Sequence, residues 1–368
     1  MHVFPGDTLP LDFPFPVDWF VNKDVLVILV GAPHIRNIDI VINAVIKHPT
    51  TKSVFIYSPD EVSEYNYLDA ICNILPKVYN IQNIIVCDAG VPIYRDNITH
   101  IPLSWCSHWV RRSGELTVPT QKRLYKFCCF NAIARPHRVK LVVEIIRNNL
   151  LEHGQVSCGW HPVNKTFDFT EFVPRELLHY FPLSIDLTDS LDLGDCGNNY
   201  YNSAVMNFAP EMAGSVFNVI SETSMDQYTY EHDCWSRGMI TEKTIKAYAL
   251  CQFPIYFAVR GFVQYQRELG FDVFDDIIDH SYDNLKHPTD RIMLIIKELK
   301  KIADLPLEAL NELVQLNWSR LQQNQNHIQQ VSDYITQTSG LALINWLDVL
   351  VQNKAIPHPR LKGLQIKV

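Results

Sequence analysis

Positive charge is in deficit. The 32 Lys and Arg against 40 Asp and Glu leave a net charge of −8, so no global field draws the chain onto nucleic acid or an anionic membrane, although a local basic surface stays open. No stretch approaches the roughly 18 consecutive apolar residues of a membrane span. The nine Cys include no C-x-x-C pair, which removes the common zinc and dithiol spacings. Cys128 and Cys129 sit in the apolar run FCCF, as buried thiols of a reducing compartment do. The opening MHVFPGDTLPLDFPFP has no basic segment ahead of its apolar residues and is interrupted by prolines, so neither a signal peptide nor a membrane anchor is expected and a cytoplasmic location is. No internal repeat is visible.

What is present is material for ordinary cores: 47% hydrophobic residues, with seven Trp, 16 Tyr and 18 Phe in 368 residues, a length that suggests about two domains. DVLVILV (24–30), SVFIYS (53–58) and NIIVCDAG (83–90) are apolar runs separated by helix-period stretches, the pattern of a parallel, doubly wound sheet. It restarts with YKFCCFNA (125–132), an amphipathic helix HRVKLVVEIIRNNLLEHG, and QVSCGW. It continues with SVFNVISE (215–222), a helix opened by Thr241, FPIYFAV (253–259), and FVQYQREL ended by Gly270. Residues 160–208 read as polar loop and insertion, and from Arg291 onward the periodicity is helical. The expected architecture is α/β: a Rossmann-like lobe over 1–118, a second over 119–335, a deep cleft between them, and a C-terminal helix and tail over 336–368 folding back on the first lobe.

Ligands of open α/β sheets bind at the carboxyl ends of strands. Three stretches of the second lobe fall there. In FNAIARPHR, Arg135, His137 and Arg138 stand at a helix start, where guanidinium groups and helix N–H donors would together hold an anion; surface arginines paired with nearby acids are the alternative. In VISETS, Glu222 ends a strand, suited to accept hydrogen bonds from ribose or sugar hydroxyls or else to pair with a local cation. In Thr241-Glu242-Lys243, the threonine is a good N-cap and Glu242 suits a first turn, but a lysine there opposes the helix dipole, as though an anion were to be supplied. Both Arg138 and Lys243 are expected to be exposed.

Cations for a diphosphate and carboxylates for hydroxyls are what a nucleotide-sugar requires. The run VISETS…ITEKTIKAYALCQFPIYFAVRGFVQYQRELGFDVFDDIIDHSYD resembles the donor-binding part of glycosyltransferases of the two-Rossmann (GT-B) type, and its Glu and Thr-Glu-Lys motifs are similar to those of the α1,3-fucosyltransferase family. YKFCCFNAIARPHRVKLVVEIIRNNLLEHGQVSCGW resembles the matching segment of glycosyltransferase-like proteins of phages, large viruses and bacteria. Together these stretches cover about residues 122 to 285, and they would set the cytoplasm in question in a bacterium or a virus-infected host cell. The resemblance implies that Glu242 holds ribose hydroxyls, Lys243 and an arginine near the first helix of the lobe bind the diphosphate, and Glu222 faces the donor. The chain departs from the fucosyltransferase pattern with Thr223 where an Asn usually follows the first Glu, and with Gly238-Met239 ahead of Thr241.

The Asp-x-Asp manganese motif of the other major glycosyltransferase fold is absent from the sequence. Asp186, Asp189, Asp192 and Asp195, and Glu231 to Cys234, meet no recognised ligand spacing, so no metal or other cofactor is expected beyond the nucleotide-sugar donor. Transfer to an acceptor hydroxyl, with inversion, needs a general base across the cleft. The strand ends of the first lobe offer His34, Asp60 and Asp88, with His34 the nominal choice. The acceptor would be a glycan, a protein or, in a virus or phage, a modified DNA base. For DNA, HWVRRSG (108–114) with Lys122, Arg123 and Lys126 offers a modest basic stripe or, on the alternative reading, a solvated linker. A non-catalytic binding or scaffold protein of the same fold is the rival of another class.

Overall fold

The continuous apolar runs form strands, several buried on both faces. The structure is a computed structural model that describes residues 2–5, 25–29, 38–58, 71, 74–88, 98–102, 122–160, 166–184, 210–222, 240–331 and 333. The protein is α/β, with two sheets and surrounding helices. Its contacts divide it into two compact units, one of residues 1–107, 229–239 and 332–368, the other of 108–228 and 240–331. The expected boundary at 118 and the expected helix and tail over 336–368 lie outside the described residues.

The sheet of the first unit runs β1 (His2–Pro5), β2 (Val25–Leu29), β3 (Ser53–Ser58), β4 (Asn83–Asp88), β5 (Ile98–Pro102), in that order. β1 is antiparallel to β2 and the rest are parallel. Val54, Phe55 and Ile56 are consecutive and all 0% exposed, so both faces of β3 are covered, which explains its uninterrupted apolar run. Helix α1 (Ile38–Lys47) follows β2 and buries Val41 and Val45 at helical spacing. Among the described strands the order follows the sequence, with no reversal, so the expected double winding is not met in this unit. Two edge strands decide this. β5 extends the run in the same direction, and β1 occupies the other edge. Both carry a proline, Pro5 and Pro102, which edges tolerate and central strands do not, and neither was legible as a strand.

The second sheet is ordered β7 (Gly154–Cys158), β6 (Tyr125–Asn131), β8 (Ser215–Ser221), β9 (Phe253–Phe257), all parallel. Here the order does reverse. From β6 the chain steps to one side for β7, then crosses back for β8 and β9, the hallmark of double winding. Every residue of β8 and β9 is buried. Cys128 and Cys129 are free buried thiols, as FCCF implied, and burial pushes both up to about 12.

Helix α2 (Pro136–Arg147) follows β6. Proline at its first position presets the backbone, and left-handed Asn149 (φ 56°) lies just past its end. Helices α3 (Glu242–Ala249) and α4 (Phe262–Glu268) flank β9 in the chain. The long α5 (Pro288–Asp304) turns Ile292, Ile295, Ile296, Leu299 and Ile302 inward and packs on α2. Helix α6 (Leu307–Leu316) and further helical residues at 318–331 follow. Among the described residues no helix is long and apolar enough to cross a membrane.

Two sequence expectations are corrected here. Residues 166–184 are not merely polar loop: Phe167, Phe169, Phe172 and Phe181 pack together, and Leu183 pairs with Cys158 at the end of β7. Gly159 permits this approach, since at φ 75° a Cβ would lie 2.6 Å from the Phe169 ring. Two members of the basic stripe are also reassigned. Arg123 is 1% exposed and donates to the carbonyls of Ala213, Leu250 and Cys251, while the Lys126 ammonium donates to the Ala303 carbonyl. Both cations serve helix ends, where carbonyls lack partners and the dipole is negative. Of the remainder of the stripe, Lys122 is exposed as expected, and 108–114 lie outside the described residues.

Candidate functional site

Ligands of open α/β sheets bind at the carboxyl edge where strand order reverses, which in this sheet is between β6 and β8. Two segments of interest end there: Asn131 through Arg138 after β6, and Ser221-Glu222 after β8. The residue that joins them is Glu222. Its N–H extends the sheet by donating to the Phe257 carbonyl (3.0 Å) at the end of β9. Its own carbonyl accepts from His137 Nε2 (3.1 Å) and Arg138 Nη2 (3.3 Å), both in the first turn of α2.

The Glu222 side chain turns to the other helix. It accepts from Thr241 Oγ1 (2.5 Å), Thr244 Oγ1 (2.6 Å) and the Thr241 N–H (3.3 Å). Thr241 caps α3 as expected, its hydroxyl accepting the Lys243 N–H at 3.3 Å. The Lys243 ammonium lies 3.4 Å from the same hydroxyl. An unbroken chain of hydrogen bonds therefore runs from Arg138 through Glu222 and Thr241 to Lys243. The anion that a lysine in a first turn calls for is supplied in part by Glu222, placed at the start of α3 by the end of β8.

Burial changes the roles assigned from sequence. Glu222 is 1% exposed and Arg138 3%. Arg138 is not the exposed group expected, because it spans from the Ile133 carbonyl (3.0 Å) to that of Glu222. The Glu222 carboxylate is occupied by the threonines of α3, so a direct reach to ligand hydroxyls is replaced by a grip on a helix. His137 is 5% exposed, packed 6.0 Å from the Phe257 ring. Burial first, then the Arg138 charge, hold its pKa well below the ordinary histidine value, against the hydrogen bond to Glu222, with Arg135 and Lys243 adding smaller lowering effects. The ring is thus neutral, and Nε2 carries the proton donated to the Glu222 carbonyl.

Arg135 and Lys243 are only half-buried. Arg135 is the N-cap residue of α2, in extended backbone, and the helix begins with no capping side chain and no acidic residue in its first turn. This start is electrostatically unlike that of α3. It carries Arg135 and Arg138, where a helix dipole favours anions, and both it and Lys243 act electrostatically on the same imidazole.

The other candidates fall, wholly or in their side chains, outside the described residues. Glu242 is the first residue of α3, and Asp88 the last residue of β4 in the first unit; the side chains of both lie outside the described ones. His34, Asp60 and the acidic segments 186–195 and 231–234 lie outside the described residues altogether. Among the described residues no group of three or more His, Cys, Asp or Glu side chains has the arrangement to hold a metal ion. What sequence reading missed was Thr244, whose hydroxyl completes the hold on Glu222. The only signal was its place three residues after the cap, in the same helical turn.

No protein-family model, curated protein or solved structure matches the chain.

Proposed function

We propose that the second unit grips the diphosphate of a nucleotide-sugar at the start of α2, and that the chain is a glycosyltransferase of the two-Rossmann (GT-B) type. The observation that carries this reading is the placing of half-buried Arg135 and Lys243, backed by the charge of buried Arg138, about the start of α2 that no side chain caps, at a place in the second sheet where strand order reverses. Guanidinium and ammonium groups beside first-turn N–H donors match the oxygens of a diphosphate. In the reaction these cations would stabilise the charge that builds on the leaving nucleoside diphosphate, with no metal called upon. The sugar passes to an acceptor hydroxyl with inversion, and a base of the first unit, His34, Asp60 or Asp88, takes the hydroxyl proton. The acceptor is a glycan or protein; a DNA base fits less well once Arg123 and Lys126 are committed to helix ends.

The test is a panel of nucleotide-sugars and their nucleoside diphosphates, read by thermal shift and by slow release of nucleoside diphosphate from the sugar donor. Stabilisation together with release supports a transferase, and stabilisation without release by any member supports the scaffold alternative. Indifference to every nucleotide, pyrophosphate included, removes the reading.

A further inference from the structure

The hydrogen bonds at residue 222 carry more than a correction. Three elements meet on this one residue. β9 fixes its N–H through the Phe257 carbonyl, α2 fixes its carbonyl through His137 and Arg138, and α3 fixes its carboxylate through Thr241 and Thr244. With 1% of its surface exposed, the side chain has little freedom to serve a ligand as well.

We infer that Glu222 is a positioning residue for phosphate binding: it ties the start of α2 to the start of α3 and so fixes the spacing between the arginines of one helix and Lys243 of the other. This rests on the proposed nucleotide site. A phosphate gripped from two helices is held only as well as the helices are held to each other, because charge-assisted hydrogen bonds weaken steeply once donors drift by a few tenths of an ångström. Glu222 supplies that hold from the end of a central strand, the most rigid ground nearby. Thr241 is the relay. Its hydroxyl donates to Glu222 and accepts from the Lys243 N–H, so the carboxylate orients the turn that bears the lysine.

The role has a signature that distinguishes it from a bystander's. A carboxylate merely near a phosphate repels it, so its replacement by an uncharged isostere should tighten anion binding. A positioning carboxylate predicts the reverse. Glu222→Gln in the full chain is expected to weaken inorganic pyrophosphate and nucleoside diphosphates by about tenfold or more, as loss of a supporting group does at other sites. Thr244→Val, which removes one donor while leaving every charge in place, should weaken them by about threefold. Calorimetric titration reads both, and hydrogen exchange of the peptides covering 132–147 and 240–250 reads the helix starts directly. Because both variants alter only the side-chain grip on α3 and leave the Glu222 carbonyl that holds α2, faster exchange at the α3 start, with the α2 start, β8 and β9 as protected as before, is the expected pattern.

Unchanged or tighter pyrophosphate binding by Glu222→Gln overturns the inference. Should that variant not fold, Thr244→Val decides alone, and wild-type affinity in it overturns the inference equally. If the wild-type chain binds no pyrophosphate or nucleotide, the proposed function fails separately. Exchange then judges the tie itself: faster exchange at the α3 start upholds it, and unchanged exchange there overturns it.

Discussion

Each end of the second sheet buries an arginine, and the two arginines are set against opposite fields. At the amino end, Arg123 donates to Leu250 and Cys251 carbonyls at 2.9 and 2.8 Å, where α3 finishes, and to that of Ala213. Its backbone exchanges hydrogen bonds with the Asn311 side chain. Nearby Gln252 bonds Met212 and Ser215 carbonyls and the Asn218 amide. Here a cation meets the negative end of a helix and orphan carbonyls, which the fold alone explains. At the carboxyl end, Arg138 and Arg135 stand at the positive end of α2, with Lys243 at that of α3. The sequence obeys local electrostatics at one edge of the sheet and opposes it at the other, and the proposed nucleotide site rests on that contrast.

The comparison breaks first, and most visibly, at Arg123. Burial pushes its guanidinium down to about 10, yet removing it leaves three buried carbonyls without their donor. Arg123→Ala should therefore destabilise the protein by about 3–5 kcal/mol, the range for stripping one partner from a buried charged contact. Urea unfolding measures it. Nucleotide affinity of the folded fraction should be unaltered, and a loss below about 1 kcal/mol would show that this edge is not held as described.

Arg138 and Lys243 sharpen the contrast within the carboxyl edge. Arg138→Ala removes a side chain 3% exposed that joins two carbonyls, so it should lower stability by about 2–3 kcal/mol as well as weakening phosphate binding. Lys243 is half-buried, and its ammonium makes a long contact of 3.4 Å with Thr241. Lys243→Ala should leave unfolding within about 0.5 kcal/mol of wild type while weakening nucleotide binding by about 2–4 kcal/mol, the scale of a charge-assisted phosphate contact. Equal nucleotide affinity in Lys243→Ala and wild type would take the lysine out of the site.

Those distinctions mark the limit of what could be read in advance. β2, β3, β4, β6, β8 and β9 were legible as continuous apolar runs, the pattern of strands in a parallel sheet, and the Thr241 cap was legible because capping is local. β1 and β5 were not: an edge strand of four or five residues ending in proline carries little pattern. The roles of Arg123 and Glu222 were illegible for a different reason. Arg123 finds its side-chain acceptors 90 to 128 residues away, and Glu222 its donors on α3 19 to 22 residues on and on α2 84 to 85 residues back. Residue type and strand position indicated that charged groups would converge at the carboxyl edge; only the packing reveals which of them are consumed by the protein itself.

Acid provides a further probe, because the carboxyl edge buries a neutral histidine. His137 is held well below the ordinary value, chiefly by burial and then by Arg138; His280, packed against Tyr282 and the Val273 carbonyl, is lowered chiefly by burial. Below about pH 6.5 the unfolded chain gains a proton at each that the folded chain does not, so stability rises with pH through that region and levels off above it. Each can contribute at most about 1.4 kcal/mol of loss per pH unit on acidification, a limit reached only between its folded and unfolded pKa values. His137→Asn should remove one of the two contributions to the slope of urea stability between pH 5 and 6.5, leaving that of His280. An unchanged slope would mean that His137 takes up its proton in the folded state.

The smallest expected effect tests whether the start of α3 is held by chemistry or by shape. Thr241 offers a hydroxyl that Glu222 needs as a donor and Lys243 as an acceptor, and a methyl group that neither uses. Thr241→Ser keeps the hydroxyl and should change stability by no more than about 0.5 kcal/mol, whereas Thr241→Val keeps the branched shape and should cost about 1–2 kcal/mol through the lost cap and a less satisfied carboxylate. Thermal unfolding of the pair separates the two. If valine were as stable as serine, the hydroxyl would be incidental, and the hydrogen-bonded path from β8 into the Lys243 turn, on which the difference between the two edges depends, would have to be abandoned in favour of simple packing.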